Sequence, residues 1–302
     1  MKILLTGVTG YIAQRLLPVL LGNGHKVICC VRDRARFHAE KYRSSDLSVI
    51  EVDFLKPETL LSIPADIDAA YYLIHSMATL SGDFEKMEET SANNFKNAMQ
   101  QTKVLQVIYL SGIVKEEMLS RHLSSRRNVE SILASGSYPL TTLRAGIIIG
   151  SGSASFEIIR DLVEKLPVMI APRWLETKSQ PIAIRNVIEF LSGVLLNEAT
   201  YHKSYDIGGP DIMTYKEMLL RFAAVRGLKR WIGIVPVMTP KLSSYWLYFI
   251  TSTSYPLAQN LVDSMKVEVV CKENNLKEML GIVPLKYDDA IRDAFKKIET
   301  DQ

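Results

Sequence analysis

Near the start of the chain, Gly7-Val8-Thr9-Gly10-Tyr11-Ile12-Ala13 follows the apolar run Ile3-Leu4-Leu5 and precedes a helix-like stretch from Arg15 to Leu21. Glycines three apart, in a turn between a buried strand and a helix, leave backbone N–H groups pointing out of the helix's positive end with no side chain in the way. Such a turn suits a pyrophosphate, and therefore a dinucleotide. The flanks are the ones this motif needs: a strand before, a helix after, and a second apolar strand from Lys26 to Val31 beyond the Gly22-Asn23-Gly24 stop. Gly7, Thr9, Gly10, Tyr11 and Ile12 are the candidate phosphate-binding residues.

The tip of the second strand reads Cys30-Val31-Arg32-Asp33-Arg34, and its chemistry selects the nucleotide, because the adenosine ribose lies against it. An acid there accepts hydrogen bonds from a free 2′-hydroxyl, whereas a guanidinium pairs with a 2′-phosphate. With Val31 at the acid's position, Arg32 favours NADP(H), and Arg34 and Arg36 are candidates to assist. A shift of one residue would put Asp33 on the ribose, so NAD(H) stays open.

These residues need a rigid frame. From residue 1 to about 150, short apolar runs alternate with amphipathic stretches, the pattern of a doubly wound parallel sheet. Strands are expected over 2–6, 26–31, 48–52, 69–74, 105–110 and 140–145. Phe84, Met87, Glu88, Ser91, Phe95, Ala98 and Met99 form a stripe at helical spacing over 84–101, and a further helix is expected over 121–134. Pro18 falls inside the first helix, where a regular interior loses a hydrogen bond and roughly 3 kcal/mol, so a kink is expected. Beyond Gly150 the alternation loosens. Helices are expected near 185–196, 214–226, 240–250, 255–265 and 287–298, with a strand near 204–207. The fold class is therefore α/β: a Rossmann-type sheet over 1–150, with a small, mostly helical lobe over 151–302 intertwined with it.

The GxxGxxA spacing, with Thr6 and Thr9, resembles the short-chain dehydrogenase/reductase superfamily in its extended or atypical, NmrA-like branches. The Val31-Arg32-Asp33 tip is similar to the NADP-using atypical members. Asp83-Phe84-Glu85, Pro172-Arg173-Trp174, Gln180-Pro181-Ile182-Ala183 and the stretch from Thr239 to Trp246 occur in the order of one bacterial subgroup of these proteins. The resemblance implies that Asp53, followed by Phe54, holds the adenine amino group. It also implies that Leu73, Ile74, His75 and Ser76, at the end of the fourth strand, line the ribose and diphosphate, and that the C-terminal lobe binds substrate. Active members carry Tyr-x-x-x-Lys on the helix after strand five, where the tyrosine moves the substrate proton and the lysine lowers its pKa. Here those positions hold His122 and Arg126. His122 is a candidate proton donor, Arg126 a candidate ribose ligand, and Ser111, closing strand five, the candidate partner hydroxyl. Arg173, Trp174 and Lys178 are candidate donors and an aromatic wall for an acceptor.

The bulk properties exclude several classes. The 302 residues are 47% hydrophobic and 23% charged, enough for a large core. A net charge of +3, from 36 basic and 33 acidic side chains, is too balanced for a nucleic-acid surface. Three cysteines, two of them neighbours on one strand, give no disulfide framework, and five scattered histidines give no metal spacing. The absence of a secretory leader and of an unbroken apolar run of about 20 residues points to the cytoplasm. The 231–250 segment, rich in aromatic residues and broken by Pro236 and Pro240, reads as lobe packing, an apolar pocket mouth or a peripheral membrane contact. The expected function is NADP(H)-dependent hydride transfer to a small, lipophilic carbonyl, enone or quinone-like acceptor. Two alternatives remain open, a non-catalytic NADP(H)-sensing regulator or scaffold and an enzyme resembling nucleoside-diphosphate-sugar epimerases and dehydratases. The oligomeric state is left open.

Overall fold

The structure is a computed structural model, described over residues 1–74, 84–113, 121–235 and 265–300, without the side chains of Phe84, Arg121, His122 and Leu123. Seven strands form one sheet: β1 (Lys2–Leu5), β2 (Lys26–Val31), β3 (Leu47–Glu51), β4 (Ala69–Tyr72), β5 (Gln106–Gly112), β6 (Leu140–Ala145) and β7 (Lys203–Ile207). Their order is β7-β6-β5-β4-β1-β2-β3, every neighbouring pair parallel. The order reverses at β1, so the ends of β1 and β4 diverge into a crevice, the place where such sheets bind ligands.

Alternation along the strands supplies two buried faces. Ile3, Leu5, Cys29, Tyr71, Ile108 and Leu143 face helices α1 (Tyr11–Gly22) and α5 (Ile184–Gly193). Leu4, Cys30, Tyr72, Val107, Tyr109 and Leu140 face α2 (Phe84–Gln100) and α3 (Arg121–Ala134). Cys29 and Cys30 thus lie on opposite sides of β2, as expected of neighbours on a strand. Pro18 stays within α1 on its exposed side, where water can satisfy the carbonyl that has lost its helical donor.

The chain beyond Gly150 does not stand apart. It sends β7 to the sheet edge and α5 onto a sheet face, where the Tyr71 hydroxyl donates to the Leu191 carbonyl at 2.9 Å. A second core gathers α4 (Ala154–Lys165), α6 (Tyr215–Val225) and α8 (Tyr287–Thr300), with the short α7 (Leu276–Leu280) elsewhere against α5. Phe156, Phe222 and Phe295 meet at its centre with ring centroids 5.4–5.7 Å apart. A two-stranded parallel ribbon, Val168–Pro172 against Trp231–Val235, flanks this core. The helices expected near 240–250 and 255–265 lie outside the described residues, save residue 265. Among the described residues, no helix is long and apolar enough to cross a membrane.

Thr6 ties the crevice together. Its buried hydroxyl donates to the Tyr71 carbonyl at 2.9 Å and accepts from the Leu73 N–H at 3.0 Å. Thr6→Val keeps the shape but leaves the buried Leu73 N–H without that partner, and is expected to cost about 1–3 kcal/mol. Urea denaturation followed by circular dichroism checks this; an unchanged midpoint would refute the role given to the hydroxyl.

Candidate functional site

The cradle begins where β1 ends. Gly7 has φ +66°, and a Cβ there would lie 2.3 Å from the Leu73 carbonyl oxygen, so no side chain fits between the two strand ends. The Gly10 N–H donates to the Gly7 carbonyl at 2.8 Å. Gly10 then caps α1 without a side-chain hydrogen bond, which leaves the first-turn N–H groups for an anion.

A cavity of about 480 Å³ opens on this turn. Gly7, Val8, Thr9, Gly10, Tyr11 and Ile12 form one wall, and Leu73 and Ile74 extend it from the end of β4. Cys30, Val31, Arg32, Asp33 and Arg36 enclose the far end with Val52, Asp53, Phe54 and Leu55. All the candidate cofactor residues with described side chains therefore converge here except Arg34 and Arg126. His75 and Ser76 lie outside the described residues. Burial pushes the Cys29 thiol up to about 12 and the Cys30 thiol higher still, so neither is a thiolate at neutral pH.

The three arginines after β2 separate by task. A 3₁₀ turn over Arg34–Arg36 begins under Asp33, whose Oδ1 accepts from the Ala35 N–H at 2.9 Å. Arg34 points to the sheet and donates to the Val49 carbonyl. Arg32 and Arg36 face the cavity, so of the two proposed assistants only Arg36 is placed to help. Asp53 is held by its own loop: Oδ1 accepts from the Leu55 N–H at 3.0 Å, and the Asp53 N–H donates to the Thr59 hydroxyl at 3.0 Å. That fixes the carboxylate at the cavity edge.

Leu55, Met87 and Ser91 line the cavity and escaped the sequence reading. Met87 and Ser91 reach the cavity from α2, on the stripe read only as core. The polar Ser91 within that stripe was the available signal.

Two of the candidate catalytic residues, Ser111 and Arg126, fall elsewhere. Both are buried beside the Tyr109 phenol, outside the cavity lining among the described residues. Burial raises the Tyr109 pKa, and the Arg126 charge with hydrogen bonding from Ser111 and Arg126 draws it partly back. Glu88, also buried, accepts from the Ser125 hydroxyl at 2.5 Å, and both Glu88 and Arg126 act electrostatically on the Tyr72 phenol, whose pKa burial raises further. Arg126 is thus one member of a buried polar cluster between α2, α3 and β5. His122 sits in the first turn of α3, its side chain outside the described residues. Trp174 is a packing residue of the second core, edge-on to Tyr215 at 6.1 Å, because its 3₁₀ turn folds the indole inward. It is not the expected aromatic wall. Arg173 is exposed and faces Glu176 at 3.8 Å. No cluster of potential metal ligands occurs among the described residues.

The sheet order and the glycine cradle are those of a Rossmann-type α/β protein. Residues 3–137 match the NAD dependent epimerase/dehydratase family. Among curated proteins, the photosystem II assembly factor Ycf39 of Synechocystis sp. is 22% identical over 245 residues, covering 78% of this chain and 71% of that protein. Among solved structures, triphenylmethane reductase of Citrobacter sp. complexed with NADP(H) superposes with a TM-score of 0.78 at 17% identity, covering 97% of this chain and 100% of that one. The NADPH-dependent quinone oxidoreductase of Escherichia coli, complexed with NADPH, gives 0.75 at 16%, covering 97% and 99%. UDP-glucuronic acid 4-epimerase of Bacillus cereus, with UDP-glucuronic acid and NAD, gives 0.71 at 15%, covering both chains in full. The superfamily resemblance holds, and at these identities the solved structures establish the fold.

Gly7→Ala is expected to abolish dinucleotide binding and to lower the melting temperature, since both the positive φ and the Leu73 carbonyl oppose a methyl group. Calorimetric titration with NADPH and a thermal melt test this together; wild-type values in both would show that the turn tolerates a side chain.

Proposed function

We propose that the protein is an NADP(H)-dependent oxidoreductase of the atypical short-chain class, acting on a small carbonyl, enone or quinone-like acceptor. The observation that carries the cofactor reading is the coincidence of the cavity with the Gly7 cradle at one end and Arg32 and Arg36 at the other. The α1 N–H groups would hold the diphosphate, Asp53 and Phe54 the adenine, and the two guanidinium groups a 2′-phosphate. When bound, the nicotinamide supplies the hydride. The likeness to the quinone oxidoreductase and to triphenylmethane reductase supports a reductase reading over sugar chemistry, as does the absence of tyrosine from position 122. Sugar epimerisation would need a base at the sugar hydroxyl.

A second reading, binding without turnover, draws support from Arg126. It lies in a buried cluster instead of lining the cavity, and the curated relative is named as an assembly factor. Residues 1–150 would serve as the nucleotide-binding part in either case, with 151–302 as the substrate or partner lobe. A cytoplasmic location fits both readings.

Tryptophan fluorescence transfer should report NADPH binding at micromolar concentration or below, tighter than NADH. Arg32→Ala should weaken NADPH by about 1–3 kcal/mol, with a loss also in Arg36→Ala, none in Arg34→Ala, and little change for NADH. Equal losses for both nucleotides would make Arg32 structural. NADPH oxidation across a panel of quinones, enones and aldehydes then separates the readings. Turnover with any acceptor establishes the reductase, and binding without turnover across the panel leaves the sensor or scaffold.

A lipophilic acceptor would suit the outer face of the ribbon, where Val168, Ile170 and Trp231 are 58%, 58% and 62% exposed and the exposed Lys229 precedes Trp231. The Trp231 ring lies along the strand over Gly233, which broadens the apolar face. Of the 231–250 segment, only residues 231–235 are described. Co-sedimentation with liposomes containing anionic lipid should fall at least severalfold in Trp231→Ala. No sedimentation of the wild type would refute the membrane contact.

A further inference from the structure

A second cavity, of about 790 Å³, lies behind α1, between that helix, α5 and α8. Its floor is apolar. Ile184 and Ile188 come from α5, and Ala290 and Ala294 from α8, two residues whose small side chains leave the space between the helices unfilled. Among the described residues its rim carries Arg15, Arg185 and Lys296 against two acids, Glu189 and Asp293. Both acids face the same cation: Arg185 lies 3.5 Å from Glu189 and 3.7 Å from Asp293. The size is that of a small-ligand site, and an apolar floor under a net cationic rim selects an aliphatic chain ending in an anion.

The two cavities share a wall. Arg15 lines the second cavity, donates to the Ser151 carbonyl at 2.7 Å, and holds its guanidinium 5.2 Å from the centroid of the Tyr11 ring. Tyr11 lines the dinucleotide cavity. Its buried hydroxyl packs so closely on Gly150 that a Cβ there would sit 2.4 Å away, and Gly150 and Ser151 also line the second cavity. Arg15 therefore stands one helical turn behind the proposed diphosphate position, with a second anion site at its other side.

We propose that the α1–α5–α8 cavity binds a medium-chain acyl carboxylate, and that its occupation weakens dinucleotide binding through Arg15. A carboxylate at the rim draws on the charge that otherwise favours the diphosphate, and linkage makes the effect reciprocal. The coupling rests on the dinucleotide reading above; acyl binding by itself does not.

Calorimetric titration of the full chain with sodium decanoate, without nucleotide, should show one saturable site, at least tenfold tighter than for decyltrimethylammonium, whose alkyl chain is one carbon longer and whose charge is opposite. Lys296→Glu, on an exposed position, should weaken decanoate about three- to tenfold and spare the cation. Ala294→Leu, filling the floor, should weaken both; its melting curve verifies folding, and Lys296→Glu decides the matter if that variant is unstable. No saturable decanoate binding, equal affinity for the two probes, or unaltered binding by Lys296→Glu overturns the site. Saturating decanoate should raise the NADPH dissociation constant severalfold in the wild type and leave it unchanged in Arg15→Gln. Tight NADPH binding that ignores decanoate overturns the coupling alone. No NADPH binding at all overturns the cofactor reading and the coupling with it, while the decanoate titration still judges the site.

Discussion

The approach of Gly7 to the Leu73 carbonyl is the constraint on which the site depends. Two parallel strands that part at the reversal of sheet order must leave room for a ligand, yet stay close enough to be joined by the Thr6 hydroxyl. A glycine with positive φ satisfies both demands, because it turns the chain away from the sheet without placing a methyl group in the gap. The turn then aims the start of α1 at the crevice, and the apolar residues Leu16, Leu17 and Leu20 fix that helix on the sheet. The geometry proposed to bind phosphate is thus a consequence of strand packing, and its donors are backbone N–H groups.

Most of the nucleotide half was legible in the sequence, because it rests on local rules. Six strands and the helices over 84–100 and 121–134 fall within a residue or two of their expected bounds, since buried parallel strands read as short apolar runs and the helices as 3.6-residue stripes. The different tasks of Arg34 and Arg36 were not legible. Nothing in Arg-Ala-Arg says that a 3₁₀ turn will form and send one guanidinium to the Val49 carbonyl and the other to the cavity. Trp174 was misread for a related reason: an aromatic residue in a charged loop gives no sign of a core that assembles from helices up to 120 residues downstream. The sheet's dependence on β7 and α5 is likewise long-range, and composition does not reveal it.

The cluster around Arg126 shows what burial demands of a guanidinium. Facing water or a ribose, a guanidinium needs only its ligand; buried, it requires neighbouring acceptors, and Arg126 hydrogen-bonds with the Tyr109 phenol, on which the Glu88 charge also acts. Glu88 sits in the apolar stripe of α2, where a carboxylate is costly unless hydrogen bonds and opposite charge accompany it. The placing of an acid on α2 and a guanidinium on α3 around the same two phenols accounts for both buried charges, the glutamate in the stripe and Arg126. A lysine would carry the charge as a point, with less reach across a sheet of phenols.

This placement bears on the chemistry open to the site. A tyrosine–lysine pair earns its place where the product oxygen must gain or lose a proton at neutral pH. Without it, hydride transfer remains accessible to acceptors that spread the incoming charge over a conjugated system, because the barrier then depends on positioning and on local donors more than on an acid of matched pKa. On the reading proposed above, a rigid cradle with both guanidinium groups at the far end would secure the first of these requirements by holding the dinucleotide at its diphosphate and adenosine parts. Selection of the acceptor would then fall to apolar surface and shape, a division of labour suited to lipophilic, electron-poor molecules and poorly suited to sugars, whose hydroxyl groups demand individual proton donors and acceptors.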